Sequence, residues 1–266
     1  MDHHWILPVR EHYARINAYI QEVGLPWSIE DFQHCDETAP ELRDLLGEAQ
    51  GQAVLDCSCG WGTQTVPLAK LGWQVTACDI SEASLEIARK YANREGVSVD
   101  FKICDMRDLA QAFDRQFDWA ISFYGLYEIP TDEGIRQAIR GMFASLKPGG
   151  KCFLQFRDMD NLMEDQPRHE FHGETRYPGG RVFCIEDHDY ISENQVVVMY
   201  AFLRENEKLD PSHYLRWTTE TIGVRKNVLR KAQLQRMLLE EGFSPVTFLP
   251  QPEPWMNVRL IATRPG

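Results

Sequence analysis

Residues 56–62 read DCSCGWG and follow the apolar run Ala53-Val54-Leu55. Two thiols one residue apart, backed by two glycines, suit three chemistries: a metal clip, a redox pair or a loop that meets a nucleotide. Spacing argues against the clip. Cys57 and Cys59 have a single residue between them, where zinc clips use roughly two to four, and no second Cys/His pair stands at a useful distance. The redox pair lacks the two-residue spacer of Cys-x-x-Cys. The loop fits. Gln52 to Cys57 reads as a short buried strand, Gly60-Trp61-Gly62 as a tight turn, and Thr63 to Leu71 as a helix stopped by Gly72. A strand, a glycine turn and a helix N-terminus together bring backbone N–H groups against a nucleotide.

The next acid narrows the nucleotide. Trp73 to Cys78 reads as a second strand with Asp79 at its carboxyl end. Ser81 is an N-cap for a helix from Glu82 to Arg94, closed by Gly96. An acid about twenty residues past the glycines can accept hydrogen bonds from both ribose hydroxyls. A pyrophosphate loop would put a third glycine where Thr65 stands. A ligand with an adenosine but no pyrophosphate therefore fits better, and Trp61 reads as a wall of its pocket.

These residues and three later motifs resemble class I S-adenosylmethionine-dependent methyltransferases. Asp56, Gly60 and Gly62 match the family's Asp-x-Gly-x-Gly-x-Gly motif, with Ser58 in place of the first glycine. Asp79 matches the ribose-binding acid. Cys104-Asp105-Met106, ending a strand from Val99, matches the place where an Asp accepts from the adenine amino group and its neighbour packs on the ring. Phe117 to Ser122 matches the fourth parallel strand. Leu146-Lys147-Pro148-Gly149-Gly150 matches the turn before the fifth, Lys151 to Phe156. The resemblance covers about residues 50–157. It implies S-adenosylmethionine as cofactor and a doubly wound, Rossmann-like sheet of seven strands. The implied cofactor contacts are Asp56, Ser58, Gly60, Trp61, Gly62, Thr63, Asp79, Ile80, Asp105, Met106 and Ser122, joined by Trp27 from the N-terminal segment.

The elements around this core are expected to place the acceptor. Residues 1–50 read as a helical lid, with Tyr13, Ile16, Ile20 and Val23 near helical spacing and a second helix from Thr38 to Leu46. Leu25-Pro26-Trp27 is expected to line that lid. Residues 51–157 form the cofactor core of a single domain, residues 158–224 an antiparallel β insertion over the site, and residues 225–266 a C-terminal helix and two closing strands. Within the insertion, Asp158 to Gly180 reads as polar and irregular. Arg181 to Ile185, Gln195 to Arg204 and Tyr214 to Thr221 read as strands. Asn227 to Glu241 reads as an amphipathic helix.

An insertion beginning Phe156-Arg157-Asp158-Met159-Asp160 is similar to that of the glycine and glycine/sarcosine N-methyltransferases. There an arginine holds the substrate carboxylate; here Arg157 and Asp160 match, while Asp158 and Met159 replace Asn and Tyr. This implies a small acceptor, an amine or amino acid-like metabolite; such an amine must be neutral to attack, so Asp158 or a histidine is expected to help remove its proton. Tyr124 and Tyr127, after the fourth strand, are the candidates for lining the acceptor site. Holding both partners in a near-attack geometry can supply about 7–11 kcal/mol of the barrier. The alternatives are a binding protein that senses the cofactor without catalysis, and a methyltransferase acting on RNA or protein.

Composition bounds these expectations. A net charge of −12 argues against a nucleic-acid partner or an anionic membrane surface. No apolar run approaches the ~20 residues needed to cross a bilayer, and the N-terminus lacks the pattern of a secretory signal. Seven cysteines, most within apolar runs, look like reduced thiols of a cytoplasmic protein. His169 and His172 are spaced for a helix-face metal pair but sit in a polar stretch, so no metal is expected. Nothing in the sequence specifies an oligomeric state.

Overall fold

The apolar runs that end in glycine or acid assemble side by side into one sheet. The computed structural model describes residues 6–23, 33–177, 180–205, 217–250 and 257–266. In chain order the first elements are β1 (Ile6–Leu7), α1 (Val9–Val23), α2 (Cys35–Leu46), β2 (Ala53–Asp56), α3 (Thr65–Lys70), β3 (Gln74–Asp79), α4 (Glu82–Glu95) and β4 (Asp100–Ile103). Then come α5 (Leu109–Ala112), β5 (Phe117–Phe123), α6 (Asp132–Ser145), β6 (Leu146–Arg157) and α7 (Met159–Asp165). The last are β7 (His169–Tyr177), β8 (Gly180–Ser192), β9 (Gln195–Glu205), β10 (Trp217–Asn227), α8 (Lys231–Glu240), β11 (Val246–Phe248) and β12 (Asn257–Thr263).

The main sheet has seven strands in the order β11-β12-β6-β5-β2-β3-β4. The five strands from β4 to β6 are parallel, and β12 and β11 close the edge antiparallel. β2 is buried on both faces, as a central parallel strand must be. Leu55 packs on one side with α6 and α8 through Ile139 and Leu238, while Val54 packs on the other with α3 and α4 through Leu68 and Leu85. The expected Rossmann-like architecture is present. Ser81 caps α4 by accepting from the Ser84 N–H, and Gly96 ends it in the left-handed region at φ 69°.

The second sheet has the order β1-β10-β9-β8-β7 and is antiparallel except for β1, which runs parallel to β10. α1 lies across it. Tyr19 stacks on Phe202 at 4.4 Å. On its other side α1 donates from Asn17 Nδ2 to Ser84 Oγ (2.8 Å) and accepts at Asn17 Oδ1 from Trp61 Nε1 (2.8 Å). The helix is thus pinned between this sheet and the glycine loop.

Several boundaries differ from expectation. Residues 159–165 and 169–177 are not irregular: Asp158 Oδ1 accepts from the Asp160 and Asn161 amides to start α7, and β7 follows as an edge strand. Pro148-Gly149-Gly150 lies within β6 as a register shift against β5, not as a turn outside the sheet. β10 runs on to Asn227, so α8 starts at Lys231 instead of Asn227. Leu25-Pro26-Trp27 lies outside the described residues. Among those described, no helix is long and apolar enough to cross a membrane.

The end of β2 is tied down by its own acid. Asp56 is 1% exposed; its Oδ2 accepts from Thr65 Oγ1 at 2.6 Å and its Oδ1 from the Ser58 N–H at 3.3 Å. Burial pushes its pKa up from 3.8 to about 7, against those two hydrogen bonds and with a contribution from the Asp79 charge. The unfolded chain releases this proton near pH 4 and the folded chain near pH 7. Between those values the folded state binds more protons, so stability falls as pH rises, by at most about 1.4 kcal/mol per pH unit from this group. Asp79, also raised by burial, adds slope of the same sign. Asp56→Asn should flatten Asp56's share, read as urea midpoints of parent and variant between about pH 4 and 7. An unchanged slope would sink the assignment.

Gly62 has φ 83°, and a Cβ there would stand 3.2 Å from Ala88 Cβ and 3.3 Å from Val66 Cγ2. Gly62→Ala should cost roughly 1–3 kcal/mol in urea unfolding. A variant as stable as the parent would mean that the loop relaxes freely.

Candidate functional site

Sheet order reverses between β2 and β5, and the loops leaving their carboxyl ends bound a cleft. The loop after β2 is held by backbone bonds to both neighbours: Cys57 N–H to Ile121 O at 2.9 Å and Cys59 N–H to Cys78 O at 3.0 Å. Gly60 turns at φ 49° and donates its N–H to Asp79 Oδ2 at 2.9 Å, while Asp79 Oδ1 accepts from the Ser81 N–H at 2.9 Å. Burial lifts the Asp79 carboxyl above its ordinary range, against these backbone bonds. Ser58 Oγ lies 2.8 Å from Ser122 Oγ. A Cβ on Gly125 would sit 2.4 Å from Ser58 Cβ, so the loops after β2 and β5 touch through small residues.

The cleft is a cavity of about 430 Å³. Of the residues expected from sequence, Ser58, Gly60, Trp61, Thr63, Asp79, Ile80, Asp105, Met106 and Tyr124 line it. Asp56, Gly62 and Ser122 do not. Asp56 sits behind the loop on Thr65, Gly62 packs against α4, and Ser122 acts through Ser58. Trp27 lies outside the described residues. Both Asp105 oxygens are engaged by Arg107, Oδ1 by Nε at 2.9 Å and Oδ2 by Nη2 at 2.6 Å. Burial raises the Asp105 pKa, but these bonds outweigh it and hold the carboxyl below its usual range. An adenine amino group would share an oxygen with Arg107.

Tyr127, Arg157 and Asp158 line a second cavity, of about 510 Å³, with Tyr124 on the wall of both. Tyr124 holds φ 62°, a strained setting for a non-glycine residue, and its hydroxyl accepts from Gln155 Nε2 at 2.8 Å. Arg157 does not present a bare guanidinium. It hydrogen-bonds Glu170 and lies 3.5 Å from Glu186. Nor is the Asp158 carboxylate open, since its Oδ2 accepts from Lys231 Nζ at 2.7 Å and its Oδ1 caps α7. Burial lifts Tyr127 to about 12. Glu186 meets His172 at 2.8 Å and His188 at 2.7 Å. Burial would raise its pKa, but those histidines hold it well below the carboxylate range. Among the described residues, Glu170, His172 and Glu186 have donor atoms close enough for a metal ion. Arg157 already places a positive charge on both carboxylates, which opposes a cation there. Cys57 and Cys59 are buried, and burial pushes their thiols well up, as for packed side chains.

Sequence reasoning expected a helical lid and a β insertion over the site but did not single out the side chains of the opposite wall as lining it. Val9, His12, Tyr13 and Ile16 of α1, with Cys184, Tyr200 and Phe202 of the second sheet, face the glycine loop across the cavity. Glu128, from the 3₁₀ turn Leu126–Glu128 after β5, also lines it and pairs with Lys226 of β10 at 2.8 Å. Glu128, a charged residue amid the otherwise uncharged GLYEIP, was the available signal; Lys226 stands beside Arg225 and Asn227 and gave none.

A family model for a methyltransferase domain matches residues 54–150. The ubiquinone biosynthesis O-methyltransferase of Xanthomonas euvesicatoria pv. vesicatoria (strain 85-10) is 37% identical over 107 residues, 40% of this chain and 44% of that protein. The match thus spans less than half of that relative's length. A solved S-adenosylmethionine-dependent methyltransferase from Clostridium acetobutylicum ATCC 824 superposes with a TM-score of 0.68 at 14% identity, over 88% of this chain and 93% of that one. An amino pentose methyltransferase from Micromonospora echinaspora, solved with S-adenosylmethionine, gives 0.66 at 18% identity over 98% and 100% of the two chains. At these identities the structural matches speak for fold. Residues 54–150 carry the methyltransferase-domain pattern, and they sit in a Rossmann-like methyltransferase fold.

Proposed function

We propose that this protein transfers a methyl group from S-adenosylmethionine to a small molecule. The observation that carries the reading is one cavity wall bearing Gly60, Asp79, Ile80, Asp105 and Met106 together. Asp79 keeps lone pairs beyond those given to the Gly60 and Ser81 amides, which suits ribose hydroxyls. Met106 offers an apolar face for adenine, and the close approach of Gly125 to Ser58 leaves backbone facing the rest of the ligand. The cofactor would supply a methyl activated on a sulfonium, so this chain's task is to bind, orient and exclude water. α1 and the second sheet serve the last purpose by roofing the cleft.

A cleft roofed in this way and a net charge of −12 both favour a small acceptor over RNA. The buried, unpaired cysteines suit a reducing compartment, so a cytoplasmic setting is part of this reading. The finer expectation of an amine or amino acid-like acceptor, drawn from the glycine/sarcosine N-methyltransferase resemblance, rested on Arg157 holding a carboxylate. Glu170 and Glu186 already occupy that guanidinium. The curated relative is named as an O-methyltransferase, which adds oxygen to the acceptor atoms to be tested.

Asp79→Ala should weaken S-adenosylhomocysteine binding by at least ~10-fold, because charge-assisted hydrogen bonds of about 1.5–3 kcal/mol are lost. Calorimetry on parent and variant, with circular dichroism to confirm folding, measures this. A parent that binds neither S-adenosylmethionine nor S-adenosylhomocysteine would end the proposal. Binding without transfer to any member of a broad panel of amines, acids and hydroxyl compounds would leave a sensor in its place.

A further inference from the structure

Residues of β8 alternate between two environments. Val182 and Cys184 are buried against α1 and the cleft, so Arg181, Phe183, Ile185, Asp187 and Asp189 point to the other face of the second sheet. Strand register extends that face. Phe183 stands opposite Leu203, Ile185 opposite both Phe171 and Ala201, and Ala201 opposite Thr221 of β10. An aromatic row crosses it. Phe171 and Trp217 flank Phe183 with ring centres 6.2 and 5.7 Å away, and the Arg181 guanidinium stands 5.3 Å from the Phe183 ring and 5.4 Å from that of Trp217. Phe171 is 64% exposed and Trp217 40%. Clustered aromatics around an arginine are the composition of a protein interface centre.

We propose that this face docks a second copy of the chain, sheet on sheet, about a two-fold axis. The axis lies between the two sheets, across the strands, over the row Phe171, Ile185, Ala201 and Thr221. Such an axis reverses strand direction and sets each strand over its own counterpart, as aligned sheets pack. Three observations select a second copy as the occupant.

First, the face is complementary to itself. Arg181 and Asp189 lie four residues to either side of Ile185, so each Arg181 faces Asp189 of the second copy. On β10, Trp217 and Arg225 lie four residues to either side of Thr221, which sets each indole against a guanidinium of the second copy. Leu203 and Met199 lie two residues to either side of Ala201 and meet in the same way. Residues over the axis meet themselves, and none of them is charged. Second, the chain carries a net charge of −12, yet here Arg181 and Arg225 are interleaved with Asp187 and Asp189. Two copies can approach on this face without like-charge repulsion, while a polyanion would find no basic field. Third, the size suits. Four strands about 4.8 Å apart, over a length of about 30 Å, present roughly 600 Å² in plan, and the corrugated accessible surface approaches the ~800 Å² per partner of a stable interface. Cys184 and Phe202 line the cavity from the reverse of the same strands, so the two copies buttress each other's cleft roofs. This inference is independent of the transfer reaction.

Sedimentation velocity on the full chain tests it. The parent should run as a dimer at about 50 µM, as interfaces of this size do. Phe171→Asp brings two carboxylates together over the axis, and Asp189→Arg opposes Arg181 of the second copy. Each should weaken the dimer at least ~10-fold. Both side chains are exposed, so far-ultraviolet circular dichroism of the variants should match the parent. Phe171→Cys, treated with glutathione disulfide, should cross-link to its own copy, two protein thiols being oxidised as one glutathione disulfide is reduced to two thiols. The native cysteines are buried, and Ile191→Cys, toward the far end of β8, should not cross-link. If neither charged variant folds, the cross-linking pair decides. A monomeric parent would leave this face to a different partner and overturn the inference. A dimer unaffected by both charged substitutions, or cross-linked as readily through Ile191→Cys as through Phe171→Cys, would overturn it as well.

Discussion

Everything in this protein hangs on the reversal of strand order between β2 and β5. The chain leaves β2 toward β3 on one side and returns through β5 and β6 on the other, so no crossover helix fills the space beyond these two carboxyl ends. What does fill it must be short and tightly held. The loop from Cys57 to Gly62 meets this by borrowing carbonyls from β3 and β5 and the carboxylate of Asp79. One side chain therefore serves two ends: Asp79 fixes the loop through Gly60 and presents an acid at the cleft. Asp56 does the corresponding work below, at the cost of a carboxylate held among apolar neighbours.

The second sheet changes what such a cleft can be. A cleft bounded only by strand ends is open to water on its far side. Here α1 spans the gap, pinned to the glycine loop through Asn17 and Trp61 and to the second sheet through Tyr19 and Phe202. The result is an enclosure whose wall includes Glu128, paired with Lys226 behind it. A buried pair of this kind contributes little to stability by itself.

The glycine-loop side of the cleft was legible in the sequence because its determinants are local. Gly60, Gly62, Asp79, Ser81 and Gly96 each follow from turn, cap or strand-end chemistry within a few residues, and their spacing orders them. The opposite side was not, because its parts come from positions far apart in the chain. Glu128 and Lys226 meet where the turn after β5 packs against β10, and Arg157 and Glu186 meet across the two sheets, so no local pattern announces either pair. Asp158 looked like a free base only because Lys231 lies at the start of a distant helix. β7 read as irregular because HEFHGETRY, an edge strand, has too few apolar residues to show alternation.

That same poverty of apolar residues has a use. Among the described residues β7 ends the second sheet, and its outer backbone groups form an open row that another chain could extend. Glu170, His172, Glu174 and Arg176 put charge or polarity along it, and the register breaks between Phe171 and Gly173, where Gly173 takes φ 108°. A charged, bulged border makes a poor template for intermolecular β-pairing. The sheet that roofs the cleft can thus end in solvent without inviting the self-association to which exposed strand borders are prone.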